Sequence, residues 1–572
     1  NSYAVAGAFT INPPTATAVI TTEPRWLDTD LDGKETRSVS GLGSSAPGDS
    51  IVSYQWFIND REAGTGAVAD LTLLTGSNRI ILKVTTQNGT QGNRNITVDV
   101  LSAEIPLGGS IKGAVSHSGN LFYVGTYYRD IAGIDSSGKI RRRFYTGGSI
   151  DAAVSVSAQN TLFTGTSTPS AFSFDGDLNL LWEAPNTGSS SSTPAITADG
   201  NTVYTVSDSG FIHAHNALTG ERIWSFNANR PISSSAVIIR IADGSHILYI
   251  GTKASSTASP VLIAVRDLGI SPQFLWEKQL TGALLGSPAI IAEDQNSMLY
   301  FTTDDGYLNR IRWDGYSEES WRVALGSAGT TCSPVIDAGG MVYAGTASGM
   351  LVVHNRTFLN SSLPVKYLNL GSPIEGTQAK KKTGNLYVGT KAGKFYSVSI
   401  SGSNMQIQWV FNGTAPFIAP VLVTDSGVIV TGSANGRVYM FTDPDFHNGG
   451  VFTLPAMWST LLGNNRRNRV PSLNVVSVDD GSAVPLRFSL QQNYPNPFNP
   501  KTIITYSIPS ISEVDLKVFD VLGNEVATLI QQTQPAGNYS LEFDASSLSS
   551  GVYFYRLNAG SHNAVQKMML VK

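Results

Sequence analysis

Four groups of residues have the types and spacings that chemistry needs. His213 and His215 stand two apart in "SGFIHAHN". On a strand they face the same side, as two metal ligands would. No third ligand follows at a telling spacing, and the chain has only seven histidines, so a surface or inter-blade pair is the competing reading. In "LDTDLDGKE", Asp28, Asp30, Asp32, Gly33 and Glu35 supply the alternating oxygens and the glycine of a calcium loop. The full twelve-residue signature would need a bidentate Glu at position 39, where Val39 stands. A calcium site and a solvated acidic turn both fit. Asp304 and Asp305 in "TTDDGY" form a carboxylate pair, but Asp-Gly after a strand is first of all a turn. Cys332 is the only thiol and reads as a small buried residue. The sequence has no G-x-S-x-G elbow, Walker loop or H-E-x-x-H helix. These residues predict a protein that is not an enzyme, with calcium as its one candidate cofactor.

The elements that position these residues repeat. The pattern apolar-aromatic-x-Gly-Thr recurs at "LFYVGT", "TLFTGT", "TVYTVS", "ILYIGT", "MLYFTT", "MVYAGT", "NLYVGT" and "VIVTGS". Counted at the Gly place (Gly125, Gly165, Val206, Gly251, Thr302, Gly345, Gly389, Gly432), the spacings are 40, 41, 45, 51, 43, 44 and 43. A short apolar element precedes most anchors, such as "STPAIT" or "CSPVID". A glycine turn and a third strand follow, and a fourth strand often carries tryptophan: Trp182, Trp224, Trp276, Trp321 and Trp409. Four strands at this period are the signature of a propeller blade, and each tryptophan reads as a wedge between blades. The expectation is an all-β chain whose residues 103–470 form an eight-bladed β-propeller, with "MWSTLLGNNRRNR" (457–469) packing back to close the ring.

The bulk numbers agree. Of 572 residues, 56 are glycine and 14% are charged, which suits many short strands and tight turns. A net charge of −4 gives no electrostatic case for nucleic acid. The runs Arg141–Arg143 and Lys380–Lys382 read as solvated strand ends or turns. No run of 18 apolar residues predicts a transmembrane helix. The chain starts at Asn1 without a charged-then-apolar leader, which fits either a removed signal peptide or none.

The repeats resemble the pyrroloquinoline-quinone-like propeller superfamily over about 60% of the chain. In its quinone enzymes, the resemblance implies a channel cofactor between a tryptophan and a disulfide of adjacent cysteines. Calcium there is held by Glu, Asn and Asp, beside an Asp base. One cysteine cannot make that disulfide, so a quinone-dependent dehydrogenase is the lesser reading. A glycan- or ligand-binding propeller is another, with Tyr127, Tyr128 and Tyr307 as stacking faces.

Residues 15–102 alternate apolar and polar positions in "SIVSYQWFIND", "ADLTLLTGSNRIILKVTTQNG" and "NITVDVLS", as a small sandwich does. They resemble a polycystic-kidney-disease-type (PKD), immunoglobulin-like domain with Trp56 in its core, which implies an extracellular spacer or adhesion module. The segment 1–14, "NSYAVAGAFTINPP", is apolar and β-prone. It suits strand addition to another sheet's edge.

After a joint at 471–487, residues 488–572 predict a second immunoglobulin-like sandwich, with a hairpin signal at "DVLGN". This block resembles the C-terminal sorting domain of the type IX secretion system of Bacteroidetes-related bacteria. The motifs are "NYPNPFNP" (Asn493, Tyr494, Pro495, Asn496, Pro497, Phe498 and onward), "DVLGNEV", "FDASSLSSGVYFYRL" and "KMMLVK" (Lys567 to Lys572). The resemblance implies partnership with the type IX machinery and delivery outside a Gram-negative cell. Together these readings predict a secreted, non-catalytic surface scaffold or adhesin, in its sharpest form a self-assembling filament or sheath subunit, with a surface glycan as a candidate partner.

Overall fold

The computed structural model describes residues 15–443 and 488–571, less 186, 242, 256–257, 292–296, 316–320, 326–328, 330, 338–339, 356–365, 381–383, 402–403, 425, 491, 494–495, 509–511, 535–536 and 561. The segment 1–14, the joint 471–487, the closing segment 457–469, Tyr494, Pro495 and Lys572 lie outside the described residues. All described regular elements are strands. No described helix is long and apolar enough to cross a membrane. The described residues fall into two compact units.

The first unit begins with two facing sheets. One has five strands in the order Arg25–Leu27, Gln91–Leu101, Gly76–Thr86, Ile51–Ile58, Arg61–Thr65. The other pairs Lys34–Ser40 with Val68–Leu74. Val68–Leu74 alternates exposed and buried along its length, so its apolar residues line one face. Val39, Leu71 and Leu73 of the small sheet share a core with Trp26, Trp56, Leu82 and Val98 of the large one. Trp56 is fully buried, and its indole Nε1 donates to Gly66 O at 2.8 Å.

The repeats then form eight four-stranded antiparallel sheets. The repeat containing His213 is typical. Its strands run Ala195–Ile196, Thr202–Val206, Phe211–Asn216 and Arg222–Asn227 in spatial order. The last sheet departs from this rule. Leu422–Val423, Val428–Gly432 and Arg437–Thr442 take their fourth strand from Ala103–Pro106, which precedes the first repeat. Among the described residues, this swap joins the two ends of the repeat array. Arg437 Nη1 pairs with Glu104 Oε1 at 2.7 Å across it.

Tryptophans join neighbouring sheets as expected. Trp182 Nε1 donates to Ala217 O in the next sheet at 2.9 Å. A Cβ on Gly220 would lie 2.6 Å from the Trp182 ring, so only glycine, here at φ 75°, lets the ring lie flat. Trp276 meets Gly315 in the same way. Just before the first strand of these sheets, hydroxyls link sheet to sheet. Ala153 N donates to Thr193 Oγ1, Thr193 N to Ser235 Oγ, Ser287 N to Ser333 Oγ, and Ser333 N to Thr377 Oγ1, at 2.7–3.1 Å. Val154, Pro194 and Gln378 just before these strands, and Ala195, Ala289 and Val335 on them, are buried.

The second unit is also a pair of sheets. Three strands run Ser489–Leu490, Lys501–Ile508, Gly537–Asp544, and four run Glu525–Gln534, Ser512–Phe519, Gly551–Ala559, His562–Leu570. Leu490, Ile504 and Tyr506 of one sheet share a core with Leu516, Tyr555 and Met568 of the other. The "DVLGN" turn is held by Asp520, whose carboxylate accepts from Leu522 N and Asn524 N at 2.9 Å.

Candidate functional site

The acidic loop folds around Asp28, which is fully buried after the strand Arg25–Leu27. Its two oxygens accept Asp32 N at 3.2 Å and Gly33 N at 3.0 Å. Asp28, Asp30 and Asp32 bring carboxylate oxygens within 4.8 Å of one another, a spacing a hard cation can bridge. Burial, helped by Asp30, raises the Asp28 carboxyl from 3.8 to about 6. Glu35 is not part of this group. Its Oε1 accepts from Arg37 Nε at 3.2 Å on the following strand.

The histidine pair is placed on one strand, as its spacing demanded, but its nitrogens serve packing. His215 Nε2 meets Thr205 Oγ1 at 3.2 Å, and its Nδ1 meets Gly220 O at 3.1 Å. The ring stacks on Trp182. His213 Nδ1 meets Ser225 Oγ at 2.8 Å, and burial lowers its pKa to about 4. Asp304 Oδ1 accepts Ala283 N at 2.7 Å, so that carboxylate fixes a loop. The Cys332 thiol is buried 3.3 Å from Ile374 O.

The three tyrosines separate. Tyr127 and Tyr128 are 53% and 65% exposed. Tyr307 is partly covered by the Arg322 guanidinium, 3.5 Å from its ring centroid. The tyrosine loop holds a residue that sequence reasoning missed. Arg129 sits at φ 70°, where few residues other than glycine, Asn or Asp settle. The available signal was the repeat itself, which carries glycine at the matching place in five other sheets.

In the C-terminal unit, the two motifs farthest apart in sequence are bonded to each other. Asn496 Oδ1 accepts Met569 N at 2.8 Å. Phe498 N donates to Met569 O at 2.9 Å, and Val571 N donates back to Phe498 O at 3.0 Å. Gln492 Nε2 and Asn496 Nδ2 both donate to Lys567 O. Among the described residues of the "NYPNPFNP" motif, Asn496 and Phe498 thus lie along the terminal strand His562–Leu570. Asn493 anchors it from inside. Its N donates to Tyr555 Oη at 2.7 Å and its Nδ2 to Thr502 Oγ1 at 2.9 Å. Burial pushes the Tyr555 phenol up to about 12, so it stays protonated. The Lys567 side chain is exposed; only its carbonyl is used.

Comparison with known proteins places both regions. Residues 492–572 match the family described as "secretion system C-terminal sorting domain". Residues 77–245 match "outer membrane protein assembly factor BamB". Among curated proteins, no sequence matches the chain. Similar solved structures include BamB from Moraxella catarrhalis, at 16% identity and TM-score 0.49 over 60% of this chain and 99% of that one. The computationally designed protein Ika8 has 16% identity and TM-score 0.45 over 59% and 98%. Sqt1 of Saccharomyces cerevisiae has 14% and 0.47 over 59% and 97%. By these family matches the chain carries a BamB-like, propeller-type repeat domain and a C-terminal type IX sorting domain, and the sorting domain marks a secreted or cell-surface protein of Bacteroidetes-type Gram-negative bacteria.

Proposed function

We propose that the protein is a non-catalytic surface scaffold or adhesin. It is an eight-bladed propeller flanked by two immunoglobulin-like sandwiches, the first of PKD type, and it is exported through the type IX machinery. The observation that carries the export half is the bonding of Asn496 and Phe498, from "NYPNPFNP", to Met569 and Val571 of the terminal motif. Support for the non-catalytic half comes from the candidate catalytic groups. The histidines, Cys332 and Asp304 are each engaged in packing or loop hydrogen bonds. The residues leading into the first strands of these sheets are buried and hydrogen-bonded to one another, which favours a structural role for them over cofactor binding.

Within this reading, subunits associate head to tail, with the apolar segment 1–14 adding to a sheet edge of the next copy. Electron microscopy of material released by the cell, with and without residues 1–14, tests it. Filaments that vanish on truncation are expected. Single particles from the full-length protein would remove the assembly claim and leave export standing.

A further inference from the structure

Eight copies of one repeat give this chain an internal alignment, and one loop stands out against it. In five sheets the turn between the second and third strands ends in a left-handed glycine: Gly210, Gly306, Gly349, Gly393 and Gly436, with φ of 76–106°. Each donates its N–H three residues back, as Gly210 N does to Ser207 O at 3.0 Å and Gly436 N to Ser433 O at 3.0 Å. In the first sheet, Arg129 N donates to Thr126 O at 3.2 Å in the same turn, at φ 70°. The two preceding positions are small or polar in those five sheets, such as Asp208-Ser209 and Ala347-Ser348. Here they are Tyr127-Tyr128. The backbone bond before them is also kept: Tyr127 N donates to Ser110 O, as Asp208 N does to Ser189 O. The backbone matches the other turns while three consecutive side chains differ, and one of them is held at a strained φ. Strain kept where glycine would serve points to a role for the side chain.

These side chains are exposed. Tyr128 lies over Gly108 and Gly109, where a Cβ would come within 3.1 Å of its ring or 2.4 Å of its backbone N. Lys112 Nζ lies 5.4 Å from the Tyr127 ring centroid and is paired with Asp151 at 3.0 Å. Tyr145, 64% exposed, is the strand neighbour of Asp130. The nearby Arg143 is committed to Asp130 Oδ2 at 3.0 Å and Leu107 O at 3.1 Å. The Arg129 guanidinium has no partner among the described residues. The site therefore offers flat aromatic faces, hydroxyls and one uncommitted cation, with polar rather than aliphatic surroundings.

We propose that Tyr127, Tyr128, Arg129 and Tyr145 form a binding site for an acidic saccharide. The tyrosine rings stack on the C–H faces of the sugar, and Arg129 holds its carboxylate. Stacking uses rigid, amphipathic rings at low entropic cost. A guanidinium matches a carboxylate with two parallel hydrogen bonds. A protein partner is disfavoured because the side chains recorded beside the tyrosines, Lys112, Asp151 and Arg143, are charged rather than aliphatic. This inference goes beyond the scaffold reading and stands whether or not copies associate.

Calorimetric titration of the full chain with hexagalacturonate, and with neutral maltohexaose as control, tests it. Saturable binding of the acidic sugar is expected, with the neutral one at least about tenfold weaker, as loss of a charge-assisted pair predicts. Arg129→Gly restores the turn's usual residue. It should weaken hexagalacturonate about tenfold or more while the unfolding temperature holds or rises. Tyr127→Ala with Tyr128→Ala should abolish binding with the fold intact by circular dichroism. Absence of saturable binding to the acidic sugar overturns the proposal. So does equal binding of both sugars, or binding indifferent to Arg129→Gly.

Discussion

Gly76, at φ 104°, lies against Trp409: a Cβ there would sit 3.2 Å from the indole and 3.2 Å from Val410 O. Elsewhere in the array, Trp182 and Trp276 each rest on a glycine of the next sheet's outer turn. The last sheet has no such turn, because its fourth strand comes from Ala103–Pro106. The first sandwich supplies the missing glycine. Thr75 Oγ1 also donates to Thr442 O at 2.7 Å, and Asn412 N donates to Ser77 Oγ at 3.1 Å. The sandwich is thus part of the closure of the array.

A Gly76→Val substitution should therefore cost more than backbone strain alone. Positive φ and overpacking together predict a loss of about 2–4 kcal/mol. Gly48→Ala, also at positive φ but with nothing within 4 Å, should lose only about 1 kcal/mol. Calorimetric melts of both variants check this. Equal losses would mean that the Trp409 contact adds nothing.

The C-terminal motifs make a second prediction. Asn496→Ala removes the acceptor for Met569 N and a donor to Lys567 O, at a cost of roughly 1–3 kcal/mol. Phe498→Ala empties a buried site and should cost about 3–5 kcal/mol. Both should retain the protein in the periplasm, read by cell fractionation. Lys567→Ala keeps the carbonyl that the motif uses, so the domain should fold and melt as before.

Much of this was legible in the sequence because the signals are periodic. The Gly-anchored repeat located the strands Leu121–Gly125 through Val428–Gly432, and the "DVLGN" turn appears where alternation broke. What stayed hidden depends on long-range pairing. Ala103–Pro106 reads locally as the start of the propeller, ahead of its first repeat, and only three-dimensional closure assigns it to the last sheet, over 330 positions away. Glu35 matched a ligand spacing, yet strand geometry turned it toward Arg37. Arg129 required comparing turns at the level of φ, which residue types alone do not disclose.

The acidic loop carries a pH dependence with a definite sign. Asp28 titrates near 6 in the folded chain against an ordinary 3.8. Between those values the folded state holds more protons than the unfolded state, so stability falls as pH rises through that window and is greatest below it. Amide exchange at Asp32 and Gly33, which donate to Asp28, should quicken from pH 4 to pH 6 once corrected for the intrinsic rise of exchange with pH. Calcium should slow it again above pH 6, and Asp28→Asn should flatten both responses. Exchange insensitive to calcium at neutral pH would identify the loop as an acidic turn only.

Asp267 offers the sharpest test of how neighbouring sheets are joined. It is buried at the end of the strand Val261–Asp267. Its carboxylate accepts from two side chains of the preceding sheet, Trp224 Nε1 at 2.9 Å and the Tyr204 hydroxyl, and from Gly269 N at 2.7 Å. Removing it leaves two enclosed donors without an acceptor, which costs more than the bonds were worth when made. Asp267→Ala should lose roughly 3–5 kcal/mol in a denaturant titration followed by tryptophan fluorescence. Asp267→Asn keeps one acceptor oxygen and nearly the same volume, so it should lose about half as much. Tyr204→Phe in the alanine background removes one stranded donor and should recover part of the loss. Additive losses in that double variant would show that the hydroxyl and the carboxylate do not act as a unit.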